Sequence, residues 1–132
     1  MGARHKARKR ALDILFEADQ RGMAVTDVFA SREKQSEHGA NPYTVTLITG
    51  VVEHSADIDA MIEAHAVDWT LERMPAVDRA VLRLGTFELR WAPEDISAAV
   101  VIDEAVELAK ELSTDDSPSF VNGVLGRIAA EA

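Results

Sequence analysis

Residues 74–93 read MPAVDRAVLRLGTFELRWAP, a segment with proline near each end. Between Pro75 and Pro93, apolar residues recur at helical spacing on more than one side of the helix. These residues are Val77, Ala80, Val81, Leu84, Phe87 and Leu89. A helix that is apolar on several sides is covered by neighbours on several sides. The segment therefore predicts a central, buried helix against which the rest of the chain packs.

Two further helices are predicted after this segment. Ser97 is placed to cap the first of them, whose inward face is apolar and whose opposite face is acidic. The acidic residues are Asp103, Glu104, Glu107 and Glu111. The second begins at residues 116–118, where an aspartate and a serine precede Pro118. It buries Val121, Val124, Leu125 and Ile128.

Four helices are predicted before the central one. The apolar face of the first consists of Ala7, Ala11, Ile14, Leu15 and Ala18. Gly22 is a stop signal for that helix, and Thr26 is placed to cap a short second helix. Residues 31–40 are polar and charged, which predicts a loop or a frayed helix end. Asn41, followed by proline, marks the start of the third helix, and Ser55 marks that of the fourth.

The fold class follows from this pattern. No segment alternates polar and apolar residues between turn signals, so the class is all-α, with about six to seven helices. A chain of 132 residues is long enough to form one domain whose core needs no disulfide bond or structural metal. The chain has no cysteine. Trp69 is expected to cover the end of the core.

The charge is concentrated at one end of the chain. The net charge is -9, yet the first ten residues carry five cations and no acid. The cations are Arg4, Lys6, Arg8, Lys9 and Arg10. This distribution predicts that the basic first ten residues bind a polyanion and that the acidic remainder of the chain binds a basic partner. The alternative is a solvated, frayed terminus.

Several classes of protein are excluded by what the sequence lacks. Its longest apolar run, residues 98–102, is far shorter than the ~20 residues of a membrane helix. No signal peptide follows the basic start, so a cytoplasmic protein is expected. The four histidines lack metal-ligand spacing, and no phosphate-cradling or dinucleotide motif is present. We therefore expect no catalytic residue, no metal site and no cofactor.

Two aromatic residues are candidates for stacking on unpaired RNA bases. Phe16 falls on the same side of the first helix as Lys9, away from the apolar face; alternatively it joins Leu12 in a second packing stripe. Phe120 falls in the first turn of the last helix, where a core-edge position is the alternative. The free N–H groups near Ser117 suit a phosphate, and Asp116 suits base amino groups.

A second basic strip is possible on the central helix. Arg79 and Arg83 lie one turn apart there and would extend the basic surface. Ion pairing with nearby acids such as Asp78 or Glu88 is the alternative for these arginines.

Three segments together resemble the NusB family of transcription antitermination factors. They are RKRAL at residues 8–12 with Leu15 and Phe16, DRAVLRL at 78–84, and EAVELAK at 104–110 followed by SPSFVNGVL at 117–125. The last segment is the most specific, and the order of all three covers essentially the whole chain.

The resemblance implies a fold and a function. It implies two small packed helical bundles, at about residues 1–54 and 55–132. It implies binding of the boxA element of ribosomal RNA leaders with the ribosomal protein NusE, and assembly of an antitermination complex on RNA polymerase. The implied RNA surface is the basic run, Phe16, Arg83 and residues 116–120. Relatives often carry an aromatic residue where Leu112 stands, so one stacking contact is expected to be missing.

Two other functions compete with this interpretation. Some RNA cytosine methyltransferases begin with a similar helical domain, but this chain has no cysteine nucleophile. A protein-binding scaffold is the other: the basic helix of one copy would pair with the acidic face of a second copy. Such a homodimer would bury the cations.

Overall fold

The computed structural model describes residues 2–35, 39, 41–67, 69–91 and 95–131. Within these ranges the chain forms seven α-helices and one 3-10 turn, and no strand. The helices are α1 (Ala3–Arg21), α2 (Val25–Gln35), α3 (Pro42–Glu53), α4 (Ser55–His65), α5 (Ala76–Trp91), α6 (Ala98–Leu112) and α7 (Ser117–Ala130), and the turn is Leu71–Arg73. The predicted all-α class is confirmed.

Helix α5 is the centre of the fold, as its sequence predicts. It packs against α1, α3, α4, α6 and α7. Its side chains at Val81, Leu82 and Leu84 are buried. One apolar cluster contains residues from all seven helices, so a single core holds the domain together. The division into two bundles near residue 54 stays a prediction.

The predicted helix ends are largely confirmed. Gly22 ends α1 in the left-handed region, at φ 62°, where glycine carries no Cβ penalty. The Asn41 side chain accepts a hydrogen bond from the backbone N–H of Tyr43 at 2.8 Å and caps α3. Ser97 caps α6 in the same way, accepting from the N–H of Val100 at 3.2 Å.

Three details differ from the sequence prediction. Helix α2 starts at Val25, one residue before the predicted cap Thr26, and it continues through Gln35. Its last turns are held to α1 by the ion pair between Arg32 and Glu17, at 2.6 Å. Residues 36–38 and 40, where a loop was expected, lie outside the described residues. Ser55 lies inside α4, whose N-cap is His54. Trp69 is 47% exposed, so it does not cover the core.

Helices α3 and α5 approach closely at Gly50. A Cβ at this position would lie 2.0 Å from Cε1 of Phe87, so only glycine leaves room for the ring. The ring is thereby buried against the backbone of α3. No helix in the described part of the chain is both long and apolar enough to cross a membrane.

Candidate nucleic-acid interface

The cations at the start of α1 are mostly paired with carboxylates from the second half of the chain. Arg4 contacts Asp95 at 3.1 Å, and Lys9 contacts Glu111 of α6 at 2.7 Å. His5 lies 2.8 Å from Glu104, also on α6. Side chains at the start of α1 therefore reach carboxylates of α6, and much of the positive charge of this helix is balanced within the chain.

Arg8 corrects one expectation about the RNA surface. Its side chain is only 4% exposed, so it cannot present its charge to a ligand. Its Nε donates to Oε1 of Glu88 at 2.8 Å, and its Nη2 donates to Oε2 at 2.9 Å. The hydroxyl of Tyr43 donates to the same Oε2 at 2.6 Å. Arg8 therefore joins α1 to α5, and its burial contradicts the expectation that it belongs to an exposed RNA surface.

The buried network around Glu88 shifts two pKa values. Burial opposes the charged guanidinium, but the hydrogen bond and the charge of Glu88 raise the pKa of Arg8. Burial and the hydrogen bond to Glu88 raise the pKa of the Tyr43 hydroxyl. Arg4 also lies over the Tyr43 ring, 5.1 Å from its centroid. These contacts join α1, α3 and α5.

Lys6 and Arg10 are the exposed cations of the run. Neither forms an ion pair with the residues that the structure describes. Both line a cavity of about 280 Å³ between α1, α2 and the start of α3, together with Arg32 and Thr44. These two side chains are available to neutralise phosphates.

Phe16 is 37% exposed, whereas Leu12 one turn earlier is buried. Of the two residues in the possible second packing stripe, Leu12 is therefore buried, whereas much of the Phe16 ring lies at the surface. Helix α1 is tied to the end of α6 by Lys9 and to the start of α5 by Asp19, which pairs with Arg79 at 2.7 Å. Phe16 lies between Lys9 and Asp19 along α1, on the same side of the helix as these two ion-paired residues.

The turn between α6 and α7 holds the other predicted residues. Phe120 packs partly against the core, and its ring centroid lies 6.2 Å from that of Trp69. Asp116 is exposed beside it. Sequence reasoning missed Trp69 at this surface; the only signal was a tryptophan in an irregular segment between two helices. Leu112, at the end of α6, is exposed as well.

Ser117 has an internal role. It is buried, and its hydroxyl accepts from the Thr114 N–H at 3.2 Å and donates to the Ser113 hydroxyl at 3.0 Å. Ser113 in turn donates to the buried carboxylate of Asp78 at 2.6 Å. The Ser117 side chain therefore fixes the turn, and the expectation that it contacts RNA directly is not supported by its position.

Arg83 is placed away from the α6–α7 turn. Its Nε donates to Oδ1 of Asp59 at 2.9 Å, and it lines a groove of about 480 Å³ beside the end of α1. The structure does not bring it next to Phe120. Arg79 is ion-paired as the alternative interpretation held, but with Asp19 and not with Asp78 or Glu88.

No group of three His, Cys, Asp or Glu residues among the described positions could hold a metal ion. The exposed or partly exposed groups on α1 and at the α6–α7 turn are cations, aromatic rings and a carboxylate. In general, cations neutralise phosphates and aromatic rings stack on unpaired bases.

Comparisons with known proteins agree with one another. A sequence model of the NusB family matches residues 5–130. The transcription antitermination protein NusB of Saccharopolyspora erythraea is 59% identical over 130 residues, covering 98% of this chain and 88% of that protein. The protein of the same name from an Arthrobacter species is 54% identical over 97% of this chain and 93% of its own length.

Two solved structures are similar as well. NusB of T. maritima superposes with a TM-score of 0.86 at 34% identity, covering 98% of this chain and 92% of that one. A chain in the crystal structure of antitermination factors NusB and NusE in complex with dsRNA gives a TM-score of 0.83 at 30% identity. That match covers 99% of this chain and 100% of the other.

Proposed function

Because this chain belongs to the NusB family, we infer that it is a transcription antitermination protein that binds RNA together with NusE. We propose boxA of ribosomal RNA leaders as its RNA and an antitermination complex on RNA polymerase as its destination, in the cytoplasm. Relatives that carry this name at 54% to 59% identity support the inference. The similar chain bound to NusE and dsRNA supports both partners. The protein is not an enzyme.

One observation supports the proposed RNA surface: Lys6 and Arg10 of α1 are exposed, and two rings, Phe16 on α1 and Phe120 at the start of α7, are partly exposed. We propose that Lys6 and Arg10 contact phosphates, with Arg4 and Lys9 joining them when their acidic partners are displaced. We propose further contacts from the rings and from the carboxylate between them. These residues are Phe16, Phe120 and Asp116. Arg83 remains a proposed contact at a separate place.

Self-association through the basic helix is the weaker proposal. It requires cations of one copy to meet the acidic face of another. Within this chain, Lys9 and His5 already contact Glu111 and Glu104 of α6. A second copy would have to replace contacts that exist, so the charge complementarity offers little net gain.

The proposed function is tested by fluorescence anisotropy. Labelled boxA RNA is titrated with the chain alone and with NusE, against a scrambled RNA of equal length. We expect tighter binding to boxA and a further gain with NusE, because a composite surface adds contacts. Equal, strongly salt-dependent binding to both RNAs would show that the surface is a general polyanion site.

Self-association is tested separately, by sedimentation of the chain at several salt concentrations, which identifies a dimer.

A further inference from the structure

The outer side of helix α3 carries no charge over most of its length. Residues 42–52 contain no Asp, Glu, Lys, Arg or His, although 28% of the residues in the chain are charged. A surface helix normally presents charged residues to water, whereas the centre of a protein interface is depleted of them. Four exposed residues of this segment form what we call the α3 face. They are Val45, Thr46, Thr49 and Val52.

Three residues of the α3 face form a row along the helix. Val45, Thr49 and Val52 are spaced i, i+4 and i+7, so they follow one another on one side. Val45 is 38% exposed and Val52 is 39% exposed. Side chains that branch at Cβ are stiff at χ1, so they lose little freedom when a partner covers them. The row is thus a rigid ridge of the kind that packs against another helix.

A groove lies on one side of this ridge, between α3 and the end of α5. Its volume is about 490 Å³, and Val45 and Thr49 contribute to its lining. Three rings, those of Phe87, His54 and Trp91, line it as well. The rings of His54 and Trp91 are stacked, with 4.2 Å between the centroids and 7° between the planes. This stacking fixes the two rings before a partner arrives, which lowers the entropic cost of binding.

A second groove lies on the other side of the ridge, beside the end of α1. Its volume is about 480 Å³, and Val52 lines it together with Met23 and Val25. Arg83 also lines this groove, and its charge is balanced by Asp59, since Nε donates to Oδ1 at 2.9 Å. The α3 face is therefore a ridge between two grooves with apolar lining, a shape that fits the ridges and grooves of a helix.

The charge at the end of the ridge favours a basic partner. Glu53 at the end of α3 and Asp57 in the first turn of α4 are both exposed. Neither carboxylate forms an ion pair within the part of the chain that the structure describes. These charges attract a lysine or an arginine and repel a phosphate. The face therefore suits a segment of protein and not RNA.

The α3 face is separate from most of the proposed RNA contacts. Helix α3 packs against α1, α2, α4 and α5, whereas Asp116 and Phe120 lie at the start of α7. Of the residues proposed to contact RNA, only Arg83 lines one of the two grooves. A partner on this face and RNA on Lys6, Arg10 and Phe120 thus bind to different residues.

We propose that the α3 face binds a basic amphipathic helix of a further protein in the antitermination complex, beside NusE and RNA. Apolar side chains of that helix enter the two grooves, and a lysine or arginine near one of its ends pairs with Glu53. The proposal rests on the antitermination function above, because that function places the chain in an assembly of several proteins. It gives the chain a contact that joins it to the rest of the complex.

Two variants and a control test the α3 face. Thr49→Lys puts a charge in the middle of the ridge, and Glu53→Lys reverses the charge at its end. Ala30→Lys adds a cation to an exposed position of α2 that lines neither groove. Melting temperatures show that the proteins are folded. We expect all three to bind labelled boxA RNA with NusE as tightly as wild type or more tightly, because each adds positive charge.

Read-through of a terminator measures the contact itself. The template carries boxA, and the reaction contains purified RNA polymerase, NusE and the remaining proteins of the complex. We expect half-maximal read-through to need about tenfold more Thr49→Lys than wild type, because the partner helix buries an unpaired charge. Glu53→Lys should need about threefold more, and Ala30→Lys no more than wild type.

A cross-link identifies what covers the face. The chain has no cysteine, so Thr49→Cys takes a single benzophenone label, and Ala30→Cys takes the same label as the control. In the assembled complex, we expect the label at Thr49→Cys, and not that at Ala30→Cys, to react with a helix rich in lysine and arginine in one of the protein components.

The outcomes separate this face from the general function. Wild-type read-through by Thr49→Lys overturns the α3 proposal alone, and so does a label that reaches only RNA, NusE or a second copy of the chain. Loss of boxA affinity in folded Thr49→Lys, or equal read-through by Glu53→Lys and Ala30→Lys, overturns it as well. Failure of wild type to bind boxA with NusE, or to raise read-through, overturns the proposed function and the α3 proposal with it.

Discussion

Arg8 and Glu88, 80 residues apart in the chain, are joined by two short hydrogen bonds, 2.8 Å from Nε to Oε1 and 2.9 Å from Nη2 to Oε2. Both side chains are buried, and Tyr43 completes the cluster. Three consecutive cations of one sequence run thus have different roles. Arg8 is internal, Lys9 is paired at the surface, and Arg10 is exposed.

Charge reversal at Arg8 and at Arg10 should have different effects. Arg8→Glu leaves buried carboxylates without a cation, and we expect the free energy of unfolding to fall by about 3–5 kcal/mol. Arg10→Glu should change stability by less than ~0.5 kcal/mol and lower the salt slope of RNA binding by about one. Urea unfolding measures the stability of both variants, and fluorescence anisotropy at several salt concentrations measures their RNA binding. A stable Arg8→Glu protein with reduced RNA affinity would show that Arg8 contacts RNA.

Tyr43 should make the fold sensitive to alkaline pH. Burial and the hydrogen bond to Glu88 raise its pKa in the folded state above the ordinary value of 10.0. Its contribution to stability is therefore complete below pH 10 and is lost as pH rises through the folded-state pKa. Tyr43 is the only tyrosine, so absorbance reports its ionisation directly. Ionisation at pH 10 in the native protein would contradict this.

Tyr43→Phe provides the matching stability measurement. Removal of the hydroxyl breaks a hydrogen bond to a charged carboxylate, and we expect a loss of about 1.5–3 kcal/mol in urea unfolding at pH 7. The variant should also lose less stability between pH 9 and pH 11 than wild type does. Parallel pH curves for the two proteins would indicate that another group is responsible.

Glu111 should compete with RNA for Lys9. The two side chains are 2.7 Å apart at the surface, and the Lys9 ammonium lowers the pKa of Glu111 through a hydrogen bond and its charge. Glu111→Gln removes the competing charge, so we expect RNA affinity at low salt to rise by roughly twofold to fivefold. Glu107→Gln, also exposed on α6, is the control. An equal rise in both variants would reflect net charge alone.

Two glycines inside helices should respond oppositely to alanine. Gly50→Ala places a methyl group 2.0 Å from the Phe87 ring, and we expect a loss of about 1–3 kcal/mol from overpacking. Gly126→Ala meets nothing within 4 Å, and we expect a gain of about 0.4–1 kcal/mol because the unfolded chain loses freedom. Thermal melts of both variants test the contrast. A stabilised Gly50→Ala would mean that Phe87 relocates at no cost.

Much of the fold could be predicted because local signals agree with the packing. The apolar face of α1 is buried as its spacing predicts, and Gly22, Asn41 and Ser97 end or begin helices by local backbone chemistry. The start of α2 differs from the prediction, because Thr26, expected as its cap, lies inside a helix that begins at Val25. Its last turns are held by Arg32 and Glu17, a contact between two helices.

The candidate site was less predictable for a physical reason. Arg8, Lys9 and Arg10 are chemically alike, and only partners on distant helices separate their roles. A helical wheel places Phe16 away from the main core, and that prediction agrees with its exposure. The position of Trp69 depends on Arg79 and Arg127 holding its segment, contacts that no local pattern indicates.

The long separation between Arg8 and Glu88 also has a consequence during synthesis. Helix α1 is synthesised before α5, so its basic first turns are made before the carboxylate that pairs with Arg8. Its internal counter-charge is made 80 residues later, about 4 to 16 s at ~5–20 residues per second. During that interval Arg8 lacks its buried partner, although acids of the same helix, such as Asp13 and Glu17, already offset part of the local positive charge. The formation of α5 thus removes one of the five cations of the first ten residues from water, and the other four keep their charge at or near the surface.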